Sequence, residues 1–282
     1  MSGTIPVVRT LEPLREMVGR WRREGARVGL VPTMGALHKG HLDLVAEARR
    51  RTERVVVSIF VNPAQFAPNE DFDRYPRDEA GDLAKLASVG CDAVWSPERA
   101  VMYPDGFATR IVPGGAAEGL ESDFRPHFFG GVATVCCKLF GQVTPDVAVF
   151  GEKDFQQLAV VSQMVRDLNL PLAIVGLPTV READGLAMSS RNAYLTADER
   201  RVAPAMHRAI SEAARRVREG AAPADAEAEA QRALLEAGFG KIDYVAVRDA
   251  VSLKAPQPGA AALRVLAAAW LGKTRLIDNV AV

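Results

Sequence analysis

Residues 28–50 pass from a short apolar run, through a turn, into an amphipathic stretch, and that transition leaves the chain few folds to choose from. The run 28–31 is Val-Gly-Leu-Val, and Pro32-Thr33-Met34-Gly35-Ala36-Leu37-His38-Lys39-Gly40-His41 follows it. A strand, a turn and a helix start are predicted there, with the helix continuing over 42–50. Short Val/Ile-rich runs recur at 55–61, 93–95, 147–150 and 172–175. They are apolar nearly throughout, as strands of a parallel sheet covered on both faces are. Helical periodicity fills the gaps. Residues 78–89 place Leu83, Leu86 and Ala87 on one side, and 132–140 is mostly apolar. Residues 154–168 align Phe155, Leu158, Val161, Val165 and Leu168. Alternating β and α segments predict a Rossmann-like, doubly wound parallel sheet. Ligands in such folds sit beyond the C-terminal strand ends, where the loops 34–41, 62–66 and 151–154 fall.

The pattern changes after Pro178. Thr196-Ala197-Asp198-Glu199 is a capping-box sequence. The helix after it carries Val202, Ala205, Met206, Ala209, Ile210, Ala213 and Val217 on one face, conflicts mildly with Pro204, and can end at Gly220. A second helix is expected over 224–237, then antiparallel strands at 242–247, 263–271 and 275–277. The expected organisation is therefore a domain over 1–178 and a smaller α+β domain over 179–282, with Pro178 and Asp184-Gly185 as the hinge.

Lys+Arg and Asp+Glu both number 35, so the formal net charge is +0, and a general nucleic-acid binder would be basic. No run of eighteen apolar residues predicts a membrane span, and no secretory h-region is visible at the N-terminus. Three cysteines are too few for a disulfide framework and suit a reducing cytoplasm.

His38 and His41 share one face of the predicted helix start, where backbone N–H groups and the dipole attract anions. Gly40 between them allows close approach. A phosphate site is the favoured reading; half of a zinc site is the alternative, poorly supported by the two other histidines, His127 and His207, and by the absence of a Cys-x-x-Cys pair. Met188-Ser189-Ser190-Arg191-Asn192 offers hydroxyls and a guanidinium suited to pyrophosphate, or is simply a polar loop. In Gly151-Glu152-Lys153-Asp154, Lys153 is a point charge and Asp154 can cap the next helix, with Gln157 on the same side. Asn62 and Gln65 offer uncharged amides to a small polar substrate. Gly272-Lys273-Thr274 imitates the end of a P-loop, but the first glycine position is Ala267.

Taken together, 32–41, 60–66, 70–77, 151–158, 179–181 with 184–187, 188–192 and 275–279 resemble the pantoate–β-alanine ligase family. It belongs to the HxGH nucleotidylyltransferase superfamily, related to class I aminoacyl-tRNA synthetases. The resemblance implies a C-terminal lid domain, a homodimer formed through the N-terminal domain, and ligation in two steps: pantoate and ATP give pantoyl adenylate, which β-alanine converts to pantothenate and AMP. By the same resemblance Met34, Gly35, Ala36, Leu37, His38, Lys39, Gly40 and His41 form the first ATP segment, with His41 as proton donor and His38 beside it. Gly151, Glu152, Lys153 and Asp154 form the second, and Val180 contacts adenine. Met188, Ser189, Ser190 and Arg191 form a mobile phosphate loop, with Lys153 and Arg191 on the reacting phosphates. Gln65 and Gln157 hold pantoate, and Asn62 and Arg125 are further substrate contacts. Mg²⁺ accompanies ATP, with Asp82 as its candidate ligand. One segment departs from the family pattern: His127 and Phe128 stand where a glycine and a histidine are usual. Two other functions compete with this one, a nucleotidyltransferase acting on a phosphorylated alcohol and a nucleotide-binding regulatory module without turnover.

Overall fold

The computed structural model describes residues 5–68, 70–257, 259–260 and 262–282. Its strands are β1 (Val7–Val8), β2 (Val28–Thr33), β3 (Arg54–Ile59), β4 (Ala93–Trp95), β5 (Val147–Gly151), β6 (Ala173–Leu177), β7 (Lys241–Asp249), β8 (Leu263–Leu271) and β9 (Thr274–Ala281). Its α-helices are α1 (Leu11–Arg23), α2 (Lys39–Arg51), α3 (Glu79–Ser88), α4 (Arg99–Met102), α5 (Glu121–Phe124), α6 (Phe128–Val143), α7 (Phe155–Asp167), α8 (Ala197–Val202), α9 (Ala205–Arg218) and α10 (Pro223–Ala237). No helix among the described residues is long and apolar enough to cross a membrane.

The first six strands make one parallel sheet in the order β1-β4-β3-β2-β5-β6. Val55, Val56 and Val57 are fully buried although successive side chains point to opposite faces, so both faces are covered. Each such side chain contributes roughly 1.5–3 kcal/mol of transfer free energy. Val31, Leu44, Val45, Val57, Leu86 and Val149 form part of one core cluster. The winding direction reverses between β2 and β5, which places the open crevice at the C-terminal end of β2.

The antiparallel sheet β7-β8-β9 belongs with α8, α9 and α10, whose Met206, Ile210, Ala226 and Leu234 pack with Val247, Val265 and Ala267. Pro204 divides the helix expected after Thr196 into α8 and α9, because proline has no N–H to continue the ladder. Gly272 and Lys273 form the tight turn joining β8 to β9, with Leu271 paired to Thr274, so the P-loop imitation is a hairpin.

Two compact units result. One takes in residues up to Gly114, then Arg125–Glu152 and Val160–Pro178; the other contains Gly115–Phe124, Lys153–Ala159 and Thr179–Val282. Polar contacts explain why the two short segments join the second unit. Arg275 Nη1 donates to both oxygens of Glu121 at 2.7 and 2.9 Å. Gln156 accepts the Glu121 N–H at 3.1 Å and donates to Ala116 O and Gly119 O at 3.1 and 3.2 Å. Phe155 packs with Leu120, Ala246 and Leu266. The apolar stripe expected on α7 is thereby divided: Phe155 serves the second unit's core, and Leu168, just past the helix, is half exposed.

Candidate active site

The loop after β2 is built around an internal carboxylate. Gly35 has φ +84° and Ala36 φ +51°, a left-handed pair that turns two successive N–H groups inward. Asp82 accepts both, from Ala36 N at 2.8 Å and Leu37 N at 2.7 Å. Lys85 Nζ closes the other side, donating to Leu37 O at 2.8 Å and lying 3.5 Å from Asp82. A non-glycine residue at positive φ costs of the order of 1–2 kcal/mol, which these hydrogen bonds offset. Leu37 is buried in the first unit's core and pins the loop from beneath. Asp82 itself is only 1% exposed. Expected as a metal ligand, Asp82 holds the loop backbone in this structure.

His38 and His41 were both expected inside the first helical turn. Instead α2 begins at Lys39 and His38 is its N-cap, with extended backbone. The two imidazoles complete a reciprocal capping box. His38 Nδ1 accepts the Gly40 N–H at 3.2 Å, and His41 Nδ1 accepts the His38 N–H at 3.3 Å. The ring centroids are 4.2 Å apart. With both Nδ1 atoms serving as acceptors, a neutral ring carries its proton on Nε2. The cap therefore uses helix-start donors that the sequence assigned to an anion, and it fixes the orientation of both rings. Lys39 pairs with Asp43 at 2.6 Å on an exposed face, so its side chain belongs to the surface.

Two residues, Asn62 in the loop after β3 and Arg125 between α5 and α6, are held by contacts within the protein. Asn62 is 1% exposed, and its amide is saturated. Oδ1 accepts from Tyr103 Oη at 2.7 Å and Ala64 N at 3.3 Å; Nδ2 donates to Gln65 Oε1 at 3.0 Å and Gly131 O at 3.2 Å. No donor or acceptor remains for substrate. Arg125 is also engaged, with Glu70 at 2.7 and 2.6 Å and with Gln65 O at 3.1 Å. Its guanidinium lies 4.0 Å from the Phe128 ring centroid, so the unusual phenylalanine supplies a cation–π partner. Both residues, expected as substrate contacts, brace Gln65 in this structure.

Gly131 lets α6 come this close. A Cβ there would lie 2.3 Å from Ala64 O and 2.8 Å from Gln65 N, both backbone atoms. Gly131→Ala is therefore expected to cost about 1–3 kcal/mol in urea unfolding and to displace Gln65. An unchanged midpoint would contradict this packing.

In the second unit, Lys153 sits on the 3₁₀ turn Glu152–Asp154 that follows β5. Asn279 Nδ2 holds its carbonyl at 2.9 Å, and Arg264 Nη1 holds Asn279 Oδ1 at 2.6 Å. Arg181 forks onto Asp278 at 2.6 and 2.9 Å. Asn279 and Asp278 form an anchor that local spacing does not reveal. Gln157 is half-buried at the start of α7.

Val180 accepts the Met188 N–H at 2.9 Å, and Arg181 bridges Ala187. Asp184 and Gly185, expected at the hinge, form the tip of that turn: Asp184 Oδ1 accepts the Leu186 N–H at 3.2 Å. Ser189 then caps the 3₁₀ helix Ser190–Tyr194, accepting the Arg191 N–H at 3.2 Å. Asn192 Nδ2 ties the segment to Ala187 O at 3.1 Å.

A parallel sheet with a His-x-Gly-His helix start at its switch point defines a Rossmann-like α/β protein of the HxGH type. The chain belongs to the pantoate-beta-alanine ligase family, whose model matches residues 6–281. It is 60% identical over 274 residues to the pantothenate synthetase of Mesorhizobium japonicum, covering 97% of this chain and 96% of that one. The crystal structure of pantothenate synthetase from Thermus thermophilus superposes with a TM-score of 0.92 at 45% identity, covering 98% of this chain and 99% of the other. A pantoate-beta-alanine ligase from Francisella tularensis, described as complexed with beta-gamma ATP and β-alanine, matches with a TM-score of 0.83 at 32% identity, over 98% and 97% of the two chains.

Proposed function

We propose that this protein condenses pantoate with β-alanine in an ATP-dependent reaction through pantoyl adenylate, releasing pyrophosphate and then AMP. The observation that carries the reading is the pair of Nδ1-anchored imidazoles at the end of β2, in a chain whose close relatives bear the pantothenate synthetase name. That anchoring preorganises both rings for contact with phosphate oxygens when the nucleotide binds. The description of the Francisella tularensis complex supports ATP and β-alanine as co-substrates.

In the first step a pantoate carboxylate oxygen attacks the α-phosphorus of ATP, and the bond to the pyrophosphate oxygen breaks. No protein nucleophile is needed, so alignment and charge stabilisation carry the catalysis. His41 donates to the oxygen on which charge develops, and His38 supports the same phosphate. Lys153, Ser189, Ser190 and Arg191 neutralise the departing pyrophosphate. Gly151, Glu152, Asp154, Val180 and Met188 contribute to the nucleotide segments, and Gln65 and Gln157 hold pantoate. In the second step the β-alanine amine attacks the acyl carbon and AMP leaves.

Magnesium would accompany the triphosphate and would supply charge neutralisation there, with Asp82 as the candidate protein ligand. A homodimer in the cytoplasm completes the proposal.

Exchange of labelled pyrophosphate into ATP is the test. Exchange that requires pantoate and proceeds without β-alanine is expected. Exchange supported by a phosphomonoester and not by pantoate would replace this reading with a nucleotidyltransferase. Gln157→Ala is expected to raise the pantoate KM roughly tenfold, the loss of one hydrogen bond to a charged group. An unchanged KM would remove Gln157 from the substrate site.

A further inference from the structure

Tyr103 follows α4 and belongs to no sequence motif. Its ring packs against Phe60 and Phe107, with centroids 6.2 and 5.2 Å away. Burial pushes its phenol up to about 12, so at neutral pH the hydroxyl keeps its proton and donates to Asn62 Oδ1 at 2.7 Å.

Two backbone groups decide which way the Asn62 amide points. Its Oδ1 accepts the Ala64 N–H, and its Nδ2 donates to the Gly131 carbonyl. A backbone N–H can only donate and a carbonyl can only accept, so this amide cannot be turned over. Nδ2 therefore presents its second proton to Gln65, 3.0 Å from Oε1. Gln65 is held with its oxygen toward Asn62. Among the described residues its Nε2 has only the Met34 thioether, at 3.2 Å, and a thioether is a weak acceptor.

We propose that Tyr103 and Asn62 are positioning residues that fix the polarity of Gln65, so that the substrate meets an N–H donor and never the amide oxygen. The inference rests on the reading of Gln65 as a pantoate-binding amide. A free glutamine presents either end and discriminates little. One locked by a chain of fixed direction selects an acid whose facing group is an acceptor, a carboxylate or hydroxyl oxygen, and disfavours an analogue with a donor-only ammonium there.

Steady-state kinetics of Asn62→Asp, Tyr103→Phe, their combination and Gln65→Ala test this. In Asn62→Asp an oxygen replaces the Nδ2 donor, and the ionised carboxylate, which Tyr103 and the Ala64 N–H stabilise and pH 8 favours, has no proton for Gln65 Oε1. Gln65 then turns over and directs its oxygen at the acid. The pantoate KM is expected to rise roughly 10–100-fold, while kcat at saturating pantoate and the ATP KM stay within about threefold. Tyr103→Phe keeps the ring packing and is expected to raise the pantoate KM about three- to tenfold. Added to Asn62→Asp it should raise KM less than about twofold further, because both act through one amide.

A raised pantoate KM in Gln65→Ala, with Tyr103→Phe and Asn62→Asp both unchanged, overturns the polarity inference and leaves the pantoate site standing. An unchanged KM in Gln65→Ala overturns the reading of Gln65 and the inference with it. Equal losses in ATP KM, pantoate KM and kcat would show a merely structural role and also overturn it. Should Asn62→Asp fail to fold, the near-isosteric Tyr103→Phe decides alone on the same KM split.

Discussion

His41→Ala is expected to lower kcat by roughly 10²–10³-fold while changing the ATP KM much less. The magnitude is that of removing one preorganised donor to charge that develops in the transition state. The ground-state triphosphate has other partners in the proposed site, so binding survives. The substitution also removes an acceptor of the α2 cap, because His41 Nδ1 holds the His38 N–H, and losing such a cap costs about 0.5–2 kcal/mol of stability. His41→Asn separates the two effects. Its Oδ1 can take the place of Nδ1 as the cap acceptor, yet its side chain has nothing at the position of Nε2. The asparagine variant is expected to melt close to the parent and to remain as slow as the alanine variant. Recovery of kcat in His41→Asn would assign the histidine to the helix start and not to the chemistry.

Asp82→Ala is expected to destabilise the protein by about 2–5 kcal/mol in urea unfolding. Two N–H groups, of Ala36 and Leu37, would lose their acceptor, and each buried orphan costs roughly 1–3 kcal/mol. Against a usual stability of about 5–15 kcal/mol, that is a large share. Where folded protein remains, kcat is expected to fall with it, because the left-handed Gly35-Ala36 turn that delivers the histidines is no longer held. Asp82→Asn keeps one acceptor oxygen but aims an amide N–H₂ at the other backbone donor, so an intermediate loss follows. The two variants should respond equally with and without magnesium in the unfolding buffer. Wild-type stability in Asp82→Ala, combined with a raised magnesium requirement for turnover, would assign Asp82 to the metal and not to the loop.

Most of the parallel sheet is legible in the sequence because its strands are buried on both faces. Runs such as Val55-Val56-Val57 need no partner to be recognised. Helix α2, the strands of the hairpin β8–β9 and the box at Thr196 are legible for the same reason, being written in neighbouring residues. Strand β1 and helix α1 lie outside the sequence expectation: β1 is a two-residue strand, paired with β4. Pro204 shows a local signal with a tertiary outcome, since only the packed structure decides that proline splits the helix instead of bending it.

The site divides along the same line. The proposed site residues His38, His41, Gln65, Lys153 and the Ser189-Ser190-Arg191 segment stand out by type and spacing, because polar and charged residue types at short, fixed offsets are visible in the chain itself. What sequence could not supply is the company they keep. Folding saturates the Asn62 amide, sets Asp82 to anchor a turn, and surrounds Arg125 with Glu70 and Phe128. Asn279 reaches the carbonyl of Lys153 from 126 positions away, and Tyr103 reaches Asn62 across 41. The sequence by itself determined the fold class, the strand-turn-helix that carries the histidines and the family. Tertiary structure alone decided which polar groups are satisfied and which are left to face a substrate, because hydrogen-bond saturation depends on what folding brings within about 3 Å, and residue spacing along the chain does not encode that distance.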